Sequence, residues 1–141
     1  MRKIVFPFFF IFLAAGIFAQ AETKENPAKK ATQESVELFK LDSQQAAKMQ
    51  AIQERKFTNL AEIEKLKATD GELYLKKLNA LQYGIDMSTK RMLNENQGAI
   101  YQQRQLERRQ KKAELYKQLI NTGASSQEVN IQLVEAELKN F

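Results

Sequence analysis

The residues with the most chemical capacity in this chain are its cations. Between Gln102 and Lys112 stand Arg104, Arg108, Arg109, Lys111 and Lys112 against the single acid Glu107, with Leu106 the only apolar side chain. Such a stretch is either a solvated helix face or a positive surface that attracts acidic protein segments or anionic lipid head groups. Catalysis fits the residues poorly. The chain has no His and no Cys, so the usual nucleophile–base pairs are missing. The same lack removes the common ligands of zinc, copper and nickel. Glu62 and Glu64 are two apart and point to different faces of a helix, and no glycine-rich phosphate loop is present. Met49, Met87 and Met92 at helical positions read as core filler. No enzyme activity, metal or cofactor is expected.

Two five-residue boxes carry a second pattern. Leu41-Asp42-Ser43-Gln44-Gln45 and Leu93-Asn94-Glu95-Asn96-Gln97 share Leu, then Asp or Asn, two free positions, and Gln, and they lie 52 residues apart. An Asp or Asn followed three positions later by Gln is a capping box. The cap side chain accepts from the backbone N–H at the third helical position, and the Gln reaches back to the N–H of the cap. Asp42/Gln45 and Asn94/Gln97 therefore mark helix starts, with Leu41 and Leu93 stapling the incoming chain against the core.

The N-terminus has the layout of a secretory signal. Arg2 and Lys3 form a positive start, Ile4 to Ala15 is an uncharged apolar run broken by Pro7, and Ala19-Gln20-Ala21 is a small-x-small cleavage site. Cleavage is expected after Ala21, with the bond after Ala19 as the alternative. As an uncleaved anchor, Ile4 to Ala19 spans only 16 residues, short of the roughly 20 that a spanning helix needs. Residues 1–21 are thus read as a signal peptide, and the mature chain as periplasmic and not stably inserted in the membrane. Loss of Arg2 and Lys3 leaves 20 bases against 17 acids, a net +3. That balance in an exported protein makes nucleic acid a poor partner. With no Cys there is no disulfide and no acceptor for a lipoprotein lipid. Six of the nine Phe leave with the signal, so the core must come from Leu, Ile, Val, Met and Ala. A helical core so small favours association with a second copy.

These elements must position the cations. Residues 22–34 are polar, contain Pro27 and show no apolar periodicity, which predicts a disordered tail. Ser35 to Lys40 predicts a short helical turn. From Asp42 onward there is no Pro and few β-branched residues, so residues 35–141 are expected to be all-α. The first long helix is expected over Ser43 to Lys67, with Ala46, Met49, Ile52, Phe57, Leu60, Ile63 and Leu66 inward. Lys56 intrudes on that stripe and must snorkel or face a partner. Thr69 and Glu72 have capping-box spacing at the next start. Tyr74, Leu78, Leu81, Ile85, Ser88 and Met92 then form a heptad seam that favours antiparallel pairing across the turn. A third helix is expected over Glu95 to Ile120, stopped at Gly123. Ser125 and Glu128 cap a last helix with two apolar sides: Ile131, Val134, Leu138 and Phe141 on one, Val129, Leu133 and Ala136 on the other. The expected architecture is a small antiparallel bundle of about four helices.

The two boxes behind a signal sequence resemble the Spy/CpxP-like family of bacterial periplasmic proteins, whose members carry two Leu-Thr-x-x-Gln boxes. Leu41, Gln45, Leu93 and Gln97 match the pattern, and Asp42 and Asn94 stand where the family has Thr. The resemblance covers residues 36 to 120. It implies a cradle-shaped helical homodimer that holds unfolded or partly folded envelope proteins without ATP. Other relatives inhibit a stress-sensing kinase or sense metals. This chain departs from the pattern in having no His, a regular amphipathic central helix and an added helix after Gly123.

On that reading a client surface needs shallow apolar patches ringed by charge, so that binding stays weak and reversible. Arg55, Lys56, Arg104, Arg108 and Arg109 are the candidate charges, and Phe57, Leu60, Tyr101 and Leu106 the candidate patches. The alternative is a regulatory or structural helical partner of one envelope protein.

Overall fold

The computed structural model describes residues 26–139. The expected signal segment with its expected cleavage sites, and Phe141, lie outside the described residues. Among the described residues five helices follow one another: α1 Pro27–Phe39, α2 Ser43–Glu64, α3 Gly71–Met92, α4 Glu95–Ile120 and α5 Ser126–Lys139. Among the described residues there is no strand, and no helix is long and apolar enough to cross a membrane.

The expected four helices become five because the polar stretch before Ser35 is helical from Pro27 onward, which corrects its reading as a disordered tail to residue 34. Asn26 caps α1 by accepting from the Ala28 N–H at 3.0 Å, with Pro27 in the first turn. The buried face of α1 is Ala28, Ala31, Thr32, Ser35 and Phe39. Small side chains at helical spacing bury a face without registering as apolar periodicity. The Thr32 and Ser35 hydroxyls donate to the carbonyls one turn back, at 2.7 and 2.8 Å, so neither is an unpaired polar group against α2.

α1 ends on Lys40, whose φ of 53° and ψ of 51° are left-handed. The Leu41 N–H returns to the Val36 carbonyl at 3.1 Å, which is a Schellman closure with its Val/Leu contact. A residue with a Cβ is strained there. Lys40→Gly should stabilise the chain by about 0.5–1 kcal/mol, read as a higher urea midpoint at unchanged slope.

α2 ends at Glu64 rather than Lys67, because the chain tightens into i→i−3 bonds at Leu66 and Lys67. The cap of α3 is Asp70, which accepts from the Leu73 N–H at 2.9 Å, and not Thr69, whose hydroxyl turns back to the Leu66 carbonyl. Ser125 and Glu128 form the box that starts α5.

α1 packs on α2, α2 on α3, and α5 on both α3 and α4. The main core joins Phe39 and Leu41 to Met49, Ile52 and Ile63 of α2 and to Tyr74, Leu78 and Ile85 of α3; Tyr101, Val134 and Leu138 close it. A satellite cluster of Leu119, Val129 and Leu133 seals the α4–α5 end. The two apolar sides of α5 thus go to two neighbours.

Candidate functional site

The two boxes cap α2 and α4 as their chemistry requires, and they also hold each other. Gln45 Nε2 donates to Gln97 Oε1 at 2.7 Å, and Gln97 Nε2 donates to Gln45 Oε1 at 2.8 Å. The remaining protons go to carbonyls at the end of the opposite preceding helix, Gln45 to Met92 at 2.8 Å and Gln97 to Lys40 at 3.1 Å. Each Oε1 still accepts from its own cap N–H, Asp42 at 3.1 Å and Asn94 at 3.0 Å. Lys40 and Met92 are 52 positions apart, as are Gln45 and Gln97. The bond pattern therefore has an approximate twofold symmetry that relates α1–α2 to α3–α4.

The same offset relates two acid–base pairs. Asp86 on α3 faces Arg108 on α4 at 3.2 Å. Their counterparts 52 residues earlier are Glu34 on α1 and Lys56 on α2, whose charges also interact. Asp86 is a hub: its carboxylate accepts from Tyr101 Oη at 3.0 Å, Gln105 Nε2 at 3.3 Å and Gln82 Nε2 at 3.1 Å as well. Burial, and then the Asp86 charge, pushes the Tyr101 phenol up to about 12.

Between α1, α4 and α5 lies a groove of about 510 Å³. Leu38, Leu115 and Leu133 contribute apolar floor, and Arg104, Lys111 and Lys139 stand among its cations. Three acids, Glu34, Glu107 and Glu137, oppose five bases in the lining, so the groove is positive. Arg104 pairs with Glu107 at 2.8 Å and Lys112 with Glu137 at 2.9 Å. The Arg104 bond holds the Glu107 carboxyl below the usual range.

The residues expected from sequence to form one client surface are divided. Tyr101, Arg104 and Arg108 line this groove, but Tyr101 is buried and not an apolar patch: its hydroxyl is on Asp86 and its ring lies 6.2 Å from that of Phe39. The Arg108 side chain is only 11% exposed. Phe57 and Leu60 are half-buried in a second cleft with Tyr74 and Leu138. Arg55 is exposed beside a third, between α2 and α3. Leu106 and Arg109 are exposed and do not line the α1–α4–α5 groove. Sequence reasoning missed Asp86, Glu34 and Glu137. Extending the 52-residue offset outward from the boxes is the signal that would have found the first two.

Lys56 is 2% exposed, so it neither snorkels nor waits for a partner. Burial first, and then the Arg108 charge, lower its amine from 10.5 to about 8, with Glu34 opposing. Between those two values the folded state binds fewer protons than the unfolded chain, so this group makes stability rise with pH from about 8 to 10.5. Below that window its full penalty is present. Lys56→Met should raise stability at pH 7 by on the order of 1–2 kcal/mol and flatten the rise, as measured by urea unfolding at pH 7 and 10.

Comparisons with family models, curated proteins and solved structures give no match. Among the described residues no group of acids is placed to hold a metal ion.

Proposed function

We propose that the chain is an exported, ATP-independent holdase of Spy/CpxP type that binds unfolded or partly folded envelope proteins in the periplasm and works as a homodimer. The observation that carries this reading is the α1–α4–α5 groove, with its apolar floor and cationic rim. A groove of about 510 Å³ takes a few side chains at a time. Binding of that size is weak enough to release a client without a nucleotide cycle. The mutual lock of the two boxes supports the reading further, since it gives the family-like residues Gln45 and Gln97 a fold-defining role.

Light scattering of a chemically unfolded client tests it. The chain from Glu22 is expected to suppress aggregation at a few-fold molar excess, and no suppression overturns the proposal. Arg104→Glu with Lys111→Glu should weaken suppression roughly 3–10-fold for an acidic client.

A further inference from the structure

α5 stands outside the doubled α1–α2/α3–α4 unit. It follows an exposed turn in which Gly123 has a φ of +76°, so its attachment to the rest is a short tether and a set of side-chain contacts. It carries three acids, Glu128, Glu135 and Glu137, and one base, Lys139. Two of those acids are clasped by bases of other elements. Glu135 lies 2.7 Å from Lys67, and Glu137 lies 2.9 Å from Lys112. Glu135 also accepts from the Tyr74 hydroxyl at 2.7 Å. Burial pushes its carboxyl up, but the Lys67 and Tyr74 bonds outweigh this and leave it below the usual range. Val129 and Leu133 pack on Leu119, while Val134 and Leu138 enter the main core beside Tyr74 and Leu78.

The surface under α5 therefore displays its own specificity: apolar side chains at i, i+4, i+5 and i+9, with acids at i+6 and i+8. We propose that this face of α3 and α4 is a docking site for acidic amphipathic helices of partner proteins, and that α5 is its resident occupant. The proposal goes beyond the holdase reading, whose groove has α5 as one wall, and names a second site beneath that helix. A tethered occupant sits at millimolar effective concentration, so a free segment docks only as α5 swings away. Docking thus competes with α5, and the charged clasps at Lys67 and Lys112 set how readily it yields.

The probe is a labelled synthetic peptide of residues 126–139, followed by anisotropy on the full chain. Glu135→Lys with Glu137→Lys repels α5 from Lys67 and Lys112, and should bind the peptide roughly tenfold tighter than wild type. A peptide with its three Glu replaced by Lys should bind about tenfold more weakly than the parent. The chain has no cysteine, so Lys112→Cys with Glu137→Cys can be joined by a short bifunctional thiol reagent, which should abolish peptide binding. Equal binding before and after crosslinking overturns the proposal and remains decisive if the charge-reversed chain does not fold. So does an open variant whose α5 amides exchange freely while its affinity is unchanged. Aggregation suppression is scored separately. If suppression is seen while peptide binding fails the pattern above, the holdase reading stands and this one falls. If peptide binding follows the pattern above while no form suppresses aggregation, the reverse holds.

Discussion

Gln97→Ala is expected to cost the folded chain about 2–4 kcal/mol, far more than removal of a surface glutamine. Truncation strips the Lys40 carbonyl and the Asn94 N–H of their side-chain partner and leaves the amide of Gln45 half-bonded. Gln97 is 6% exposed and Gln45 9%, so water cannot freely replace what is lost. Loss of a helix cap alone is milder, about 1 kcal/mol for Asp42→Ala. The difference between those two variants measures the part of the lock that joins the two halves of the chain.

A double-mutant cycle isolates that part. Gln45→Ala should cost about as much as Gln97→Ala, and the double variant should cost less than their sum by about 1 kcal/mol or more, because the shared amide pair can be lost only once. Additive costs in urea unfolding would reduce the lock to two independent caps. Gln97→Glu makes a sharper probe. An ionised carboxylate has no proton for the Lys40 carbonyl or for Gln45 Oε1, so it must be destabilising at neutral pH. Its carboxyl is held up in the folded state, and stability should recover as pH falls and the group protonates.

Caps and periodicity made most of this fold legible. Asp42 and Asn94 announce α2 and α4, and the Tyr74–Leu78–Ile85 seam announces α3; α4 ends on Asn121 as its C-cap, with Gly123 two residues on in the turn and not the cap expected. α1 was hidden because hydropathy weighs Ala28, Ala31, Thr32 and Ser35 as indifferent, while packing values them for bringing two backbones close. The end of α2 moved because i→i−3 tightening at Leu66 and Lys67 leaves no mark in composition. The site was less legible than the fold. Arg104, Leu106, Arg108 and Arg109 were grouped because they are neighbours in sequence, yet a helix sends neighbours to different faces. Arg108 turns in to Asp86 and Arg109 stays out. Lys56 was recognisable as misplaced in an apolar stripe. The Glu34 charge that partly offsets its burial, at the position equivalent to Asp86, needs the α1–α2 packing to be seen.

Asp86→Ala should show what holds the middle of α4 in place. From Gln102 to Lys112 the only apolar side chain is Leu106, and it is 53% exposed. Hydrophobic burial therefore cannot fix this part of the helix, and polar attachment must. Asp86 accepts from Tyr101, Gln105 and Arg108, all on α4. Without it the guanidinium of Arg108, on a side chain only 11% exposed, loses its 3.2 Å contact to the Asp86 carboxylate. The expected cost is about 2–4 kcal/mol, since one truncation removes a largely buried ion-pair contact and two further hydrogen bonds to α4. Asp86→Asn keeps an acceptor oxygen and should cost about half as much. Hydrogen exchange decides whether the loss is local. Amides of residues 102–112 should exchange faster in Asp86→Ala, while those around Leu78 keep their rate and remain the most protected. A uniform acceleration would mean that Asp86 supports the whole core. A local one would mean that the cationic wall of the groove is hinged on a single carboxylate, so that its opening can be tuned without unfolding the α2–α3 pair beneath it.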